Sequence, residues 1–185
     1  MSDLNLLLVS GSTRRGSTNG AALRTAQELL ADRAATVLHE DLAALPAFNP
    51  DDDHDVVPPA VAAVRRQIAE ADAVVFCTPE YAGTLPGSFK NLLDWTVGGG
   101  EMYNKPATWI NVAAPGRGGG ADATLRTVLG YVGAAILPSG GVRVPVARDA
   151  LGDDGLIADA ATREKLDVAL TTILAELTTP AAARP

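Results

Sequence analysis

Apolar residues follow two rhythms along this chain, short near-continuous runs and longer stretches at helical spacing, and the two kinds alternate. Leu4, Leu6, Leu7, Leu8 and Val9 make the first run, Ala35 to His39 the second and Ala73 to Cys77 the third. Runs of this length predict strands, and a near-continuous one such as the first predicts a strand covered on both faces of a parallel sheet. Lys105 to Ala114 predicts a fourth strand, and Ala134 to Val144 a fifth with a bend or bulge at Pro138 to Gly141. Between the runs, Ala22, Leu23, Ala26, Leu29 and Leu30 recur on one helical face. Val57, Val61, Val64 and Ile68 repeat the pattern in a helix ending near Ala71. Pro86 suits the first turn of a third helix, which buries Phe89, Leu92 and Leu93 and ends at Gly98-Gly99-Gly100. Leu125, Val128, Leu129 and Val132 mark a fourth, and Asp159 can cap a last one with the stripe Leu166, Leu170, Ile173, Leu174 and Leu177.

Strands alternating with helices in this way predict a doubly wound α/β fold, a five-stranded parallel sheet in the order 2-1-3-4-5 with helices on both faces. Chain direction then reverses between the first and third strands, and their carboxyl ends open a crevice. Residues 1–178 are expected to form a single domain and 179–185 a flexible tail.

The loops leaving those two strands carry the chemistry. Gly11-Ser12-Thr13-Arg14-Arg15-Gly16-Ser17-Thr18-Asn19 offers two glycines, four hydroxyls, two guanidiniums and an amide, uninterrupted by any acid. Such a turn at a helix start suits an anion, because free N–H groups there carry partial positive charge. A plainer alternative, with Ser17, Thr18 or Asn19 as an ordinary cap, leaves Arg14 and Arg15 unexplained. Gly11 and Gly16 have the Walker separation, but Ser17 and Thr18 stand where Lys and Ser/Thr would reach a triphosphate and magnesium. The second glycine of the dinucleotide fingerprint would fall at Thr13. A terminal monophosphate remains. The second loop, Thr78-Pro79-Glu80-Tyr81-Ala82-Gly83-Thr84, has a proline-fixed backbone, an aromatic and a glycine, and suits a flat ring; alone it would read as a plain connection. Pro115-Gly116-Arg117-Gly118-Gly119-Gly120 opens at the same sheet end.

Composition narrows the classes. A net charge of −7 argues against nucleic acid as a partner and makes the basic turn conspicuous. The single cysteine, Cys77, sits in an apolar run with no cation at the phosphatase-like position, Gly83, so it reads as structural and suits a reducing cytoplasm. Asp51, Asp52, Asp53, His54 and Asp55 lack the spacing of a calcium loop and read as a solvated segment. Met1-Ser2-Asp3 carries no basic leader, and no apolar stretch approaches the roughly 20 residues of a membrane span. A cytoplasmic location is expected.

With these residues assembled, the chain resembles the NADPH-dependent FMN reductase family of flavodoxin-like proteins, which includes quinone, azo-dye and chromate reductases. The signature G-S-x-R-x-x-S-x-N is met by Gly11, Ser12, Arg14, Ser17 and Asn19. A second, P-E-Y-N-x-x-x-P-G-x-x-K-N-x-x-D-W, is met at Pro79, Glu80, Tyr81, Pro86, Gly87, Lys90, Asn91, Asp94 and Trp95. It departs at Ala82, where the family has asparagine, and Ala114-Pro115 replaces a usual serine in the fourth-strand loop. The resemblance implies that Ser12, Arg14, Ser17, Thr18 and Asn19 hold the FMN phosphate. By the same resemblance Pro79, Glu80, Tyr81, Ala82 and Gly83 lie along the isoalloxazine, and Pro115, Gly116, Gly118 and Gly119 edge its other side. It implies NADPH or NADH as hydride donor, and a quinone, azo compound, free flavin or metal oxyanion as acceptor. Homodimers or homotetramers are the family's usual state. The flavin carries the redox chemistry, so no catalytic acid or base is assigned. A flavodoxin-like electron carrier and a cofactor-free binding module are the competing expectations.

Overall fold

The structure, a computed structural model, describes residues 4–54 and 56–179. The expected ends of the chain, Met1-Ser2-Asp3 and the tail beyond Thr179, lie outside the described residues. Strands β1 (Asn5–Ser10), β2 (Ala35–His39), β3 (Ala73–Cys77), β4 (Pro106–Asn111) and β5 (Ala135–Ile136) pair in parallel in the order β2-β1-β3-β4-β5. A further short strand, β6 (Val142–Arg143), also pairs in parallel with β4. The bend expected at Pro138 to Gly141 therefore divides the fifth strand in two, and both halves lie on β4. β4 is shorter than its apolar run, because Val112 to Ala114 already belong to the loop.

Helix α1 (Thr18–Leu30) and α5 (Ala160–Thr178) cover one face of the sheet; α2 (Pro59–Glu70), α3 (Gly87–Asp94) and α4 (Gly119–Tyr131) cover the other. The alternation along β1 assigns its side chains accordingly. Leu7 and Val9 pack with Val64, Ile68, Phe76 and Phe89, while Leu6 and Leu8 pack with Leu23, Ala26 and Leu170. All four of these β1 residues are buried, and each fully buried side chain of this kind contributes roughly 1.5–3 kcal/mol. That is why β1 tolerates no polar alternation. Asp159 does cap α5, through Thr162 N–H at 2.8 Å and its hydroxyl at 2.6 Å.

Two expectations are corrected. Helix α3 ends at Asp94, four residues before the glycines, and turns carry the chain to them. The acidic segment is not wholly solvated: Asp53 pairs with Arg65 of α2 at 2.7 Å, with only 9% of its side chain exposed, while Asp55 lies outside the described residues. Paired to a guanidinium that also binds Trp95 O, Asp53 is a structural anchor.

Candidate functional site

The turn after β1 is shaped by close backbone contact. Gly11 N–H donates to Cys77 O at 2.8 Å, and a Cβ on Gly11 would lie 2.3 Å from Thr78 Oγ1, so only glycine lets β1 and β3 release their loops side by side. Gly16 adopts a left-handed φ of 64°, and Ser17 then caps α1, its Oγ accepting from Gly20 N–H at 3.0 Å. The ordinary capping role is thus taken by Ser17. It satisfies one donor. Among the described residues, the N–H groups of Thr13, Arg15, Gly16, Thr18 and Asn19 have no protein acceptor. Backbone donors left unspent beside a helix start suit an anion.

The surrounding side chains keep that turn positive. Arg14 donates to Gly16 O at 3.2 Å, its own N–H meets Ser12 Oγ at 3.3 Å, and neither Arg14 nor Arg15 has an ion pair among the described residues. The nearby carboxylate of Glu40 is held by Arg24 at 2.7 Å. Asn19 is 6% exposed, and its Oδ1 accepts from Cys77 Sγ at 3.4 Å. Burial pushes the Cys77 thiol well above its ordinary pKa, so at neutral pH it is an S–H donor and not a nucleophile. The Asn19 Nδ2 is left without a protein acceptor among the described residues.

In the loop after β3, Tyr81 and Thr84 exchange N–H to O bonds of 3.0 Å each, closing a hairpin on Ala82 and Gly83. Both central residues have positive φ, 49° and 76°. A two-residue turn of this hand favours asparagine or glycine at its first centre, which gives a physical reason for the family's asparagine where this chain has Ala82. Glu80 turns away from the hairpin. Its Oε2 accepts from Gly120 N–H at 2.7 Å and Ala121 N–H at 3.0 Å, capping α4 from a loop 40 residues earlier. A Cβ on Gly120 would meet Gly83 O at 1.9 Å, so the two walls close as tightly as glycine permits.

The loop after β4 is organised by Asn111, buried and absent from the sequence expectations. Its Oδ1 accepts from Ala113 N–H at 2.9 Å, and its Nδ2 donates to Asp122 Oδ2 at 2.8 Å and Gly118 O at 3.2 Å. The signal available was a polar amide ending an apolar strand just before a glycine-rich stretch. The second half of the longer motif serves structure: Lys90 pairs with Asp94, while Asn91 and Trp95 both donate to Pro46 O.

These loops enclose a cavity of about 290 Å³ at the carboxyl edge of the sheet. Ser12, Arg14, Ser17, Thr18 and Asn19 line it from the first loop, and Pro79 and Tyr81 from the second. Ala113, Ala114, Val146 and Arg148 also face it, all missed in the sequence. An adjoining hollow of about 210 Å³ takes in Glu80 and Gly118. Ala82, Gly83, Pro115, Gly116 and Gly119 line neither hollow. A larger one of about 610 Å³, between α5 and the Pro138 to Arg143 segment, shares no residue with these loops.

An open parallel sheet in this order, with a crevice and unspent backbone donors where the strand order reverses, defines a flavodoxin-like protein. The NADPH-dependent FMN reductase family matches residues 4–149, and the chain belongs to that family. It is therefore an FMN-dependent NAD(P)H oxidoreductase, as the motifs implied. Over 166 residues it is 36% identical to an NAD(P)H-dependent FMN reductase of Pseudomonas aeruginosa, spanning 88% of this chain and 89% of that one. Over 139 residues it is 31% identical to a quinone reductase of Escherichia coli, spanning 72% and 73%. Among solved structures, FerB, a flavoenzyme NAD(P)H:(acceptor) oxidoreductase from Paracoccus denitrificans, superposes with a TM-score of 0.81 at 28% identity, covering 94% of this chain and 97% of its own.

Proposed function

We propose that FMN binds with its phosphoryl group in the turn of residues 12–19 and its ring between the loops after β3 and β4, and that the acceptor served is a quinone. The observation that carries the site is the set of backbone donors over residues 13–19 left without a protein acceptor beside Asn19 Nδ2, in a turn whose guanidiniums have no ion pair among the described residues. A phosphate dianion satisfies such a set at once. Bound there, FMN supplies the hydride chemistry that links reduced nicotinamide to an acceptor.

The chain's own residues bind and orient. Ser12, Arg14, Thr18 and Asn19 supply donors at the phosphoryl end, with Ser17 holding the helix start that presents them. Pro79 and Tyr81 form an apolar wall, and Arg117 and Gly118 line the adjoining hollow, with Pro115, Gly116 and Gly119 shaping their loop. Ala82 and Gly83 act by shaping the hairpin, and Glu80 by fastening it to α4. No side chain is required to move a proton. Quinone reductases among the relatives support the choice of acceptor.

The subunit is read as one domain over residues 1–178 and as a cytoplasmic homodimer or homotetramer. The exposed Tyr103 and Tyr131, 70% and 90% accessible, support a surface for self-association. Among the described residues no helix is long and apolar enough to cross a membrane. Anaerobic addition of NADPH to the FMN-loaded protein tests the activity. Its yellow colour should bleach, and a benzoquinone should restore it faster than an azo dye or chromate. Bound flavin that never bleaches would sustain the electron carrier instead, and protein that takes up no FMN would leave only a binding module.

A further inference from the structure

The connection between β6 and α5 brings a cation to the cavity that neither motif includes. Beyond Arg143 the backbone keeps pairing with the end of β4, Val144 N–H donating to Asn111 O and Val146 N–H to Val112 O, both at 3.0 Å. The strand direction is thereby continued to the carboxyl edge, where Arg148 opens a short 3₁₀ turn over Arg148–Ala150. From the other side the segment is tied to α1. Ile157 N–H donates to Thr25 Oγ1 at 2.9 Å, Arg24 to Gly155 O at 3.3 Å, and Leu151 bridges Ile157. Arg148 therefore projects from backbone held at both ends.

Arg148 lines the same cavity as Ser12, Arg14 and Ser17, and its side chain has no hydrogen bond or ion pair among the described residues. Asp153 and Asp154, further along the segment, line a neighbouring hollow that shares Ser12 and Arg14 with this cavity, and neither forms an ion pair with Arg14 or Arg148 among the described residues. Two arginines without an ion pair among the described residues thus line one cavity in a chain of net charge −7. A doubly charged anion bound between two such cations makes charge-assisted bonds to both. We propose that Arg148 is a second cationic ligand for the FMN phosphoryl group, acting with Arg14, and that it makes the site select phosphorylated flavin over riboflavin. This rests on the FMN site proposed above.

Flavin-free protein titrated with FMN and, separately, with riboflavin, followed by quenching of flavin fluorescence, tests it. For an exposed charge-assisted contact, Arg148→Ala should weaken FMN about tenfold and leave riboflavin within about twofold. Arg148→Lys should recover part of the FMN affinity, and the salt dependence of FMN binding should flatten in Arg148→Ala. FMN bound by Arg148→Ala as tightly as by wild type would overturn the assignment. Equal weakening of FMN and riboflavin would overturn it too, by showing a role at the ring or in the fold. Wild-type protein that binds neither flavin would instead sink the underlying site, a separate outcome.

Discussion

Replacing Glu80 with alanine removes the carboxylate that joins two walls of the cavity. Its Oε2 accepts two backbone N–H groups, at 2.7 and 3.0 Å, from the first turn of α4, where Gly118, the residue before the helix, has no side chain to cap it. A net hydrogen bond to a charged group is worth roughly 1.5–3 kcal/mol, and loss of a cap roughly 0.5–2 kcal/mol. Glu80 is only half-buried, so water reaches part of the vacated position and the lower range applies; Glu80→Ala should cost about 2 kcal/mol. For a chain of this length that is a fall of about 4–8 °C in midpoint. Glu80→Gln keeps an acceptor and loses chiefly the charge on the helix dipole, about 0.3–1 kcal/mol, or about 2 °C. Urea and thermal melts of flavin-free protein, followed by circular dichroism, separate this from any effect of bound cofactor. The same variants should bind FMN more weakly in the same order, because the hairpin of Ala82 and Gly83 would no longer be drawn against Gly120. Glu80→Ala within about 0.5 kcal/mol of wild type would refute the capping assignment.

Other outcomes follow from the same geometry. Arg14→Ala should weaken FMN about tenfold, the lower end for a charge-assisted bond because the side chain is exposed, and an unchanged dissociation constant would remove Arg14 from the site. Ala82→Asn should raise stability by about 0.5–1 kcal/mol, since φ of 49° strains alanine more than asparagine; a lower midpoint would refute the strain. Burial lowers the pKa of His39 below its ordinary 6.5, against weaker opposing effects of Gln67 and Asp41, and its Nε2 is buried without a partner. Its stabilising contribution is therefore complete above that ordinary value and drains away as pH falls through the lower folded value. Urea melts of wild type and His39→Gln should accordingly differ in slope below about pH 6.5, and parallel profiles would refute it.

The amino-acid sequence by itself determined the strands β1 to β3, the sheet order and the acid-free, basic character of the turn over residues 11–19. The reason is local: a strand buried on both faces must be apolar throughout, a helix start must be capped, and an acid-free turn with two arginines attracts an anion wherever the fold puts it. The bounds of β2 and β3 coincide with their apolar runs, Ala35–His39 and Ala73–Cys77. What only the tertiary structure decided is which polar groups are already spent. Glu80 stands in a motif beside Tyr81, yet its carboxylate belongs to a helix 40 residues later. Ser17 is used by its own helix, Cys77 orients Asn19 from a neighbouring strand, and Asp53 is drawn inward by Arg65. Arg148 reaches the cavity because the backbone after β6 goes on pairing with the end of β4 and is then fastened to α1. Each of these depends on contacts between residues far apart in the chain. Spacing along a sequence reports the donors a residue carries; the acceptors it meets are set by packing.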